Sequence, residues 1–143
     1  MSQVALVYPL LVQVALTFGL LFWMAKGRTS LLANDQVRPE QIALGQPGWP
    51  QRETQIANSF RNQFEAPVLF YVLVLLVLHL RMSDIVHVVL AWAFVLLRIA
   101  HAYIHTTSND VRVRGPTYGI GVFVLLIMWV WFAIRFLMAS API

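Results

Sequence analysis

The sequence predicts an all-α integral membrane protein, a four-helix bundle forming a single domain over 1–143, and three observations predict it. First, 59% of the 143 residues are hydrophobic and 11% are charged, with a mean hydropathy of +0.72, too apolar for a soluble domain of this size. Second, four apolar segments, about 4–25, 60–80, 84–105 and 116–138, are each long enough at about 1.5 Å per residue to cross a hydrocarbon core of about 30 Å. Third, basic residues gather in two of the connections, Lys26, Arg28, Arg38 and Arg52 in one and Arg112 and Arg114 in the other. The isoelectric point near 10.1 therefore reflects membrane flanks, and no nucleic-acid partner is expected.

The first span has no basic residue before it and no small-residue cleavage site after it, so it reads as a retained span and not a signal peptide. Pro9, Gln13 and Thr17 share one face, a polar stripe expected to pack against neighbouring helices. Lys26 and Arg28 end this helix. The connection to about Pro50 is a surface loop with a short amphipathic turn around Glu40–Leu44, and Pro47-Gly48-Trp49-Pro50 reads as an interfacial anchor.

The second helix starts near Pro50 above the membrane and runs to about Leu80. Within it, Arg61-Asn62-Gln63-Phe64-Glu65-Ala66-Pro67 brings a guanidinium, an amide and a carboxylate to the mouth of the apolar run from Ala66 to Leu78. A lone Glu in hydrocarbon costs about 3 kcal/mol even on lenient insertion scales, so Glu65 needs a partner. Arg61, one turn earlier on the same face, is the nearest. Pro67 has no N–H to offer the carbonyl of Gln63.

The turn at Arg81-Met82-Ser83 makes the second and third helices antiparallel neighbours, with Ser83 or Asp84 as the cap of the third. Counted outward from Met82, Glu65 and Arg98 fall at nearly the same depth, which predicts a cross-helix ion pair. The third helix places His87, Ala91, Phe94, Arg98, His101 and His105 on one face by alternating steps of four and three. His79 and His87 lie toward the opposite side of the membrane and read as interface residues. The linker from Thr106 to Gly115 leads to Gly115-Pro116, which opens the fourth helix with Tyr118 in its first turn, and Arg135 snorkels near its end. The positive-inside rule puts both termini outside the cytoplasm, so Arg61, Asn62, Glu65, Arg98, His101, His105, Arg114 and Tyr118 all fall in the cytoplasmic half.

With no cysteine in the chain, disulfides, protein thiolates and cysteine lipidation are excluded, and any thiol must come from a ligand. A half-buried cluster with excess cations, one carboxylate, an amide and a phenol suits a small, multiply charged anion. Glutathione is such a ligand, since its carboxylates match Lys or Arg, its ammonium matches Glu65 and its thiol gains from a nearby cation. The alternative is that Glu65, Arg61 and Arg98 neutralise one another as a structural network. His101 and His105, one turn apart without a Cys or Asp beside them, do not make a metal site.

Asn62-x-x-Glu65, Arg98-x-x-His101 and Arg114-x-x-x-Tyr118, together with the length, four spans and loop sizes, resemble the pattern of the MAPEG family, the membrane-associated proteins in eicosanoid and glutathione metabolism. The resemblance implies a homotrimer in the lipid bilayer with glutathione between protomers near the cytoplasmic face, acting on lipophilic electrophiles as a transferase or peroxidase. By the family's pattern Lys26 meets a glutathione carboxylate, Arg61, Asn62 and Glu65 hold the peptide, His101 lines the site, and Arg114 with Tyr118 faces the sulfur; Arg98 and His105, in the same layer, are further candidate binding residues. The chain departs from the family's transferases and prostaglandin synthase at Asn58, where an arginine-rich stretch is usual, at His105, where a tyrosine is usual, and at Gly115, where the synthase has serine. Arg61 to Pro67, with Thr106-x-Ser108-Asn109-Asp110-Val111, looks closer to the family's bacterial branch, which implies the bacterial inner membrane. The rival function is a non-catalytic membrane protein whose cluster is structural or binds lipid headgroups.

Overall fold

A computed structural model describes residues 3–140, so the ends of the 1–143 domain, residues 1, 2 and 141–143, lie outside the described residues. The described chain folds as α1 (Val4–Ala33), α2 (Gln51–Arg61), α3 (Ala66–His79), α4 (Ile85–Thr106) and α5 (Val111–Ser140), with 3₁₀ turns at Pro39–Gln41 and Asn62–Phe64 and no strand among the described residues. Four stretches, Val4–Ala33, Gln51–His79, Ile85–Thr106 and Val111–Ala139, are long and apolar enough to cross a membrane. The chain is an integral, multi-pass, all-α membrane protein. Phe22, Leu69, Leu75, Val89, Leu96, Phe123 and Leu126 are exposed on its outer faces, where lipid and not water is the solvent.

The core is a seam of Leu6 from α1, Phe70, Leu73, Val74 and Val77 from α3, Ala91, Phe94 and Val95 from α4, and Leu125, Met128 and Phe132 from α5. Phe70 and Phe94 stack with ring centroids 4.8 Å apart, which fixes α3 against α4. The polar stripe on α1 packs inward as expected. Gln13 is fully buried and its Nε2 donates to Gln63 Oε1 at 3.0 Å, tying α1 to the turn before α3.

Three boundaries differ from the sequence reading. α1 does not end at Lys26 and Arg28 but continues to Ala33, with the Thr29 hydroxyl donating to the Ala25 carbonyl at 2.8 Å inside the helix. It ends where Asp35 takes φ of 54° and the Gln36 N–H bonds the Leu31 carbonyl at 3.0 Å. Gly115-Pro116 does not open the last helix. Asp110 opens it a turn earlier by accepting the Arg112 N–H on Oδ1 at 2.9 Å, leaving Pro116 inside α5.

The second span is broken rather than continuous. Glu65, with φ of −97° and ψ of −111°, leaves helical geometry between α2 and α3. Pro67 lies in the first turn of α3, where its missing N–H costs nothing. At the far end of α3, Arg81 takes φ of 54° and the Met82 N–H bonds the Val77 carbonyl at 2.9 Å. Asp84 caps α4, accepting the His87 N–H at 2.9 Å.

Candidate functional site

The break at Glu65 turns two polar side chains, Asn62 and Glu65, toward α4 and α5. Arg98 is 2% exposed and its Nη2 donates to the Asn62 carbonyl at 3.3 Å and to Asn62 Oδ1. The amide of Asn62 passes the contact on, with Nδ2 donating to Glu65 Oε2 at 2.8 Å. The Tyr118 hydroxyl donates to the same carboxylate oxygen at 3.3 Å, and the Arg98 guanidinium lies 5.6 Å from the Tyr118 ring centre. His101 packs edgewise on His105 and tilted on Tyr118, with centroid distances of 5.5 Å to each. Nδ1 of both histidines and Nε of Arg98 are buried without a hydrogen-bond partner.

The expected Glu65–Arg98 ion pair is not formed. The two ion pairs among the described residues both involve Asp84, and Asn62 stands between Glu65 and Arg98. The depth matching was sound, but α4 meets the turn residue Asn62 before it meets the carboxylate. Glu65 is itself exposed, with its carboxylate held by an amide and a phenol.

α2 braces the C-terminal end of α4. Gln55 Nε2 donates to the His105 carbonyl at 2.7 Å and the Thr107 carbonyl at 3.0 Å, and Arg52 donates to the Thr106 carbonyl. These bonds satisfy carbonyls that a helix end leaves open. Arg114, in the first turns of α5, donates to Asn109 Oδ1. Arg112 is exposed.

Asn62, Glu65, Arg98, His101, His105 and Tyr118 thus meet in one layer with Arg114 at its rim. Arg61 does not join them. It is exposed and lines a separate cavity with Arg28 and Asn58, because the turn at Asn62–Phe64 breaks the helical register that would have stacked Arg61 over Glu65. Lys26 stands exposed on α1, away from the helix end.

Sequence reasoning missed a second polar cluster at the opposite end of the bundle. Asp84 Oδ1 lies 2.9 Å from His87 Nδ1, Oδ2 accepts the Trp131 indole N–H at 3.0 Å, and Arg135 Nη1 lies 3.6 Å from Oδ2. His87 is not an interface residue but fully buried, and Arg135 is not at the helix end but clamps α5 to α4. Burial by itself raises the Asp84 pKa, but the His87 N–H, the Trp131 indole and the His87 ring outweigh it and hold the carboxyl below its ordinary value. The available signal was Asp84 three residues before His87 on a helix start, which reads as a cap and nothing more.

Compared with known proteins, the chain is matched over residues 6–134 by the family model described as the MAPEG family. No curated protein matches it, and no solved structure does.

Proposed function

Since the chain belongs to the MAPEG family, we propose that it is a glutathione-dependent transferase or peroxidase for lipophilic electrophiles, working at the layer around Arg98 in a bilayer-embedded homotrimer. The observation that carries the reading is Glu65. It is an exposed carboxylate at the mouth of a span, held by Asn62 and Tyr118, with no cation in ion-pair contact among the described residues. A carboxylate placed so is complementary to a ligand ammonium. The donors around it also fit, since Nδ1 of His101 and His105 and Nε of Arg98 are buried and unpaired.

When bound there, glutathione would supply a thiolate as nucleophile or reductant. Glu65 and Asn62 orient the amino end, and Arg98 holds a carboxylate or peptide carbonyl through its remaining donors. Arg114 sets the field at the rim, adding a cation to the positive end of α5. Tyr118 already donates to Glu65, so turning to the sulfur requires it to release that 3.3 Å bond. Lys26 and Arg61, exposed on this protomer, are assigned to contacts across the trimer. The excess of Lys and Arg in the 26–52 and 106–115 connections supports a bacterial inner-membrane orientation with both termini outside the cytoplasm.

One observation favours a second reading. The chain from Arg98 to Asn62 to Glu65 to Tyr118 is closed, as a purely structural network would be. Thiolate absorbance in a pH titration with glutathione separates the two. A catalytic site gives thiolate below the free thiol's pKa of about 8.5, and Arg114→Ala moves its appearance upward, with Tyr118→Phe causing a smaller shift. No thiolate in the unmodified protein, with no thermal stabilisation by glutathione, leaves the structural reading.

A further inference from the structure

A groove of about 380 Å³ runs between α1 and α4, and none of the residues of the Arg98 layer lines it. Its walls include Leu16, Gly19 and Trp23 on α1 and Ile99, Tyr103 and Thr106 on α4. The floor opens at Gly19, where a Cβ would meet nothing within 4 Å. Trp23 and Tyr103, 43% and 70% exposed, present their rings to the surrounding lipid. From Leu16 to Trp23 the groove follows α1 for about 10 Å at about 1.5 Å per residue, roughly two-thirds of a leaflet whose hydrocarbon is about 15 Å deep.

This apolar groove ends on a cation. Arg52, in the first turn of α2, holds its guanidinium 5.1 Å from the Trp23 ring centre and donates to the Thr106 carbonyl, so it stands over the mouth. Arg52 is exposed and joins no ion pair among the described residues. Tryptophan favours the headgroup level, which sets the guanidinium at the depth of lipid phosphates.

We propose that the groove is a docking site for one anionic phospholipid of the surrounding leaflet, with an acyl chain lying along Gly19 between Trp23 and Tyr103 and the phosphate meeting Arg52. A partner helix does not fit, because at about 10–12 Å across and 5.4 Å per turn a single turn fills more than about 400 Å³. An extended hydrocarbon chain is narrow enough to lie over a glycine. A zwitterionic lipid carries its own ammonium beside the phosphate, whereas a net-negative lipid has Arg52 as its counter-ion, and this difference gives the groove its headgroup preference.

The test is tryptophan fluorescence of the full chain in vesicles of unlabelled phosphatidylcholine, to which phosphatidylglycerol or phosphatidylcholine with brominated acyl chains is added as quencher. The Trp23 signal is the difference between the unmodified protein and Trp23→Phe. Brominated phosphatidylglycerol should quench that signal at about a fivefold lower mole fraction than brominated phosphatidylcholine, the size expected for one basic side chain at an anionic headgroup. Arg52→Gln should bring the two lipids to parity, while Arg38→Gln, which removes the same charge elsewhere in the exposed connection, should leave the preference intact. Gly19→Leu fills the floor from an open position and should also abolish the preference, which keeps the test readable should Arg52→Gln fail to fold. Equal quenching by both lipids in the unmodified protein overturns the proposal in favour of an unselective lipid annulus. No quenching by either overturns it in favour of a groove covered by a second copy of the chain, and equal losses in Arg38→Gln and Arg52→Gln overturn it in favour of diffuse surface charge. No glutathione is present, so the outcome does not depend on thiol chemistry at the Arg98 layer.

Discussion

Asn62→Ala is the substitution that most sharply tests the polar layer. The amide is the hydrogen-bonded link between a guanidinium that is 2% exposed and a carboxylate that is exposed. Removing its Oδ1 takes one hydrogen bond from a buried cation, which costs about 1.5–3 kcal/mol, and removing Nδ2 takes a more exposed contact worth about 0.5–1 kcal/mol. The sum is about 2–4 kcal/mol. Glu65→Gln keeps the acceptor oxygen and loses only a charge with no cation in contact, so it costs under about 1 kcal/mol. Unfolding free energies in mixed micelles measure both, and a cycle with Arg98→Gln measures the coupling of Glu65 to Arg98. That coupling should vanish in the Asn62→Ala background. If Glu65→Gln costs as much as Asn62→Ala, or the coupling survives without the amide, Glu65 and Arg98 interact directly and the bridge is wrong.

Asp84, whose folded pKa is depressed, contributes stability that is complete above its unfolded pKa of about 3.9 and is lost as pH falls through the folded value. The melting temperature should therefore drop on acidification below about pH 4, and Asp84→Asn should lower the plateau while flattening that drop; an unchanged acid limb assigns it to other carboxylates. Gly48→Ala should destabilise by about 1–3 kcal/mol, because the new Cβ would stand 2.8 Å from the Gln41 carbonyl oxygen, and wild-type unfolding would mean that the loop yields freely. Single cysteines at Arg81 and Ser108 should label from opposite sides of the membrane with an impermeant thiol reagent, and labelling from one side would refute the orientation.

The spans were legible because apolar length is a strong signal, and the buried face of α4 because its four-and-three spacing is long and unbroken. The inward stripe at Gln13 was legible for the same reason. Helix ends were not. The start of α5 rests on one such detail, Asp110 capping it upstream of Gly115, and local bonds of this kind are a fraction of the energy of a whole span. The error at Arg61 had a different source. Residues four apart share a face only on a continuous helix, and the 3₁₀ turn at Asn62–Phe64 rotates α3 relative to α2. The Asp84 cluster was hidden because its partners, Trp131 and Arg135, are remote in sequence and become neighbours only once α5 docks.

The tight connection from His79 to Ile85 bears on how the chain gets into the membrane at all. An arginine on an isolated helix costs about 3 kcal/mol at the bilayer centre, so α4 on its own is a poor insertion substrate. Joined through Arg81 to α3, and through Glu65 to the turn that carries Asn62, it can enter as a hairpin with the guanidinium already covered by the amide. The apolar surface of α3, lacking any charge between Ala66 and Leu78, supplies the favourable transfer that carries Arg98 in. This geometry favours entry of α3 and α4 together, with α1 and α5 closing on a hairpin whose charge is covered.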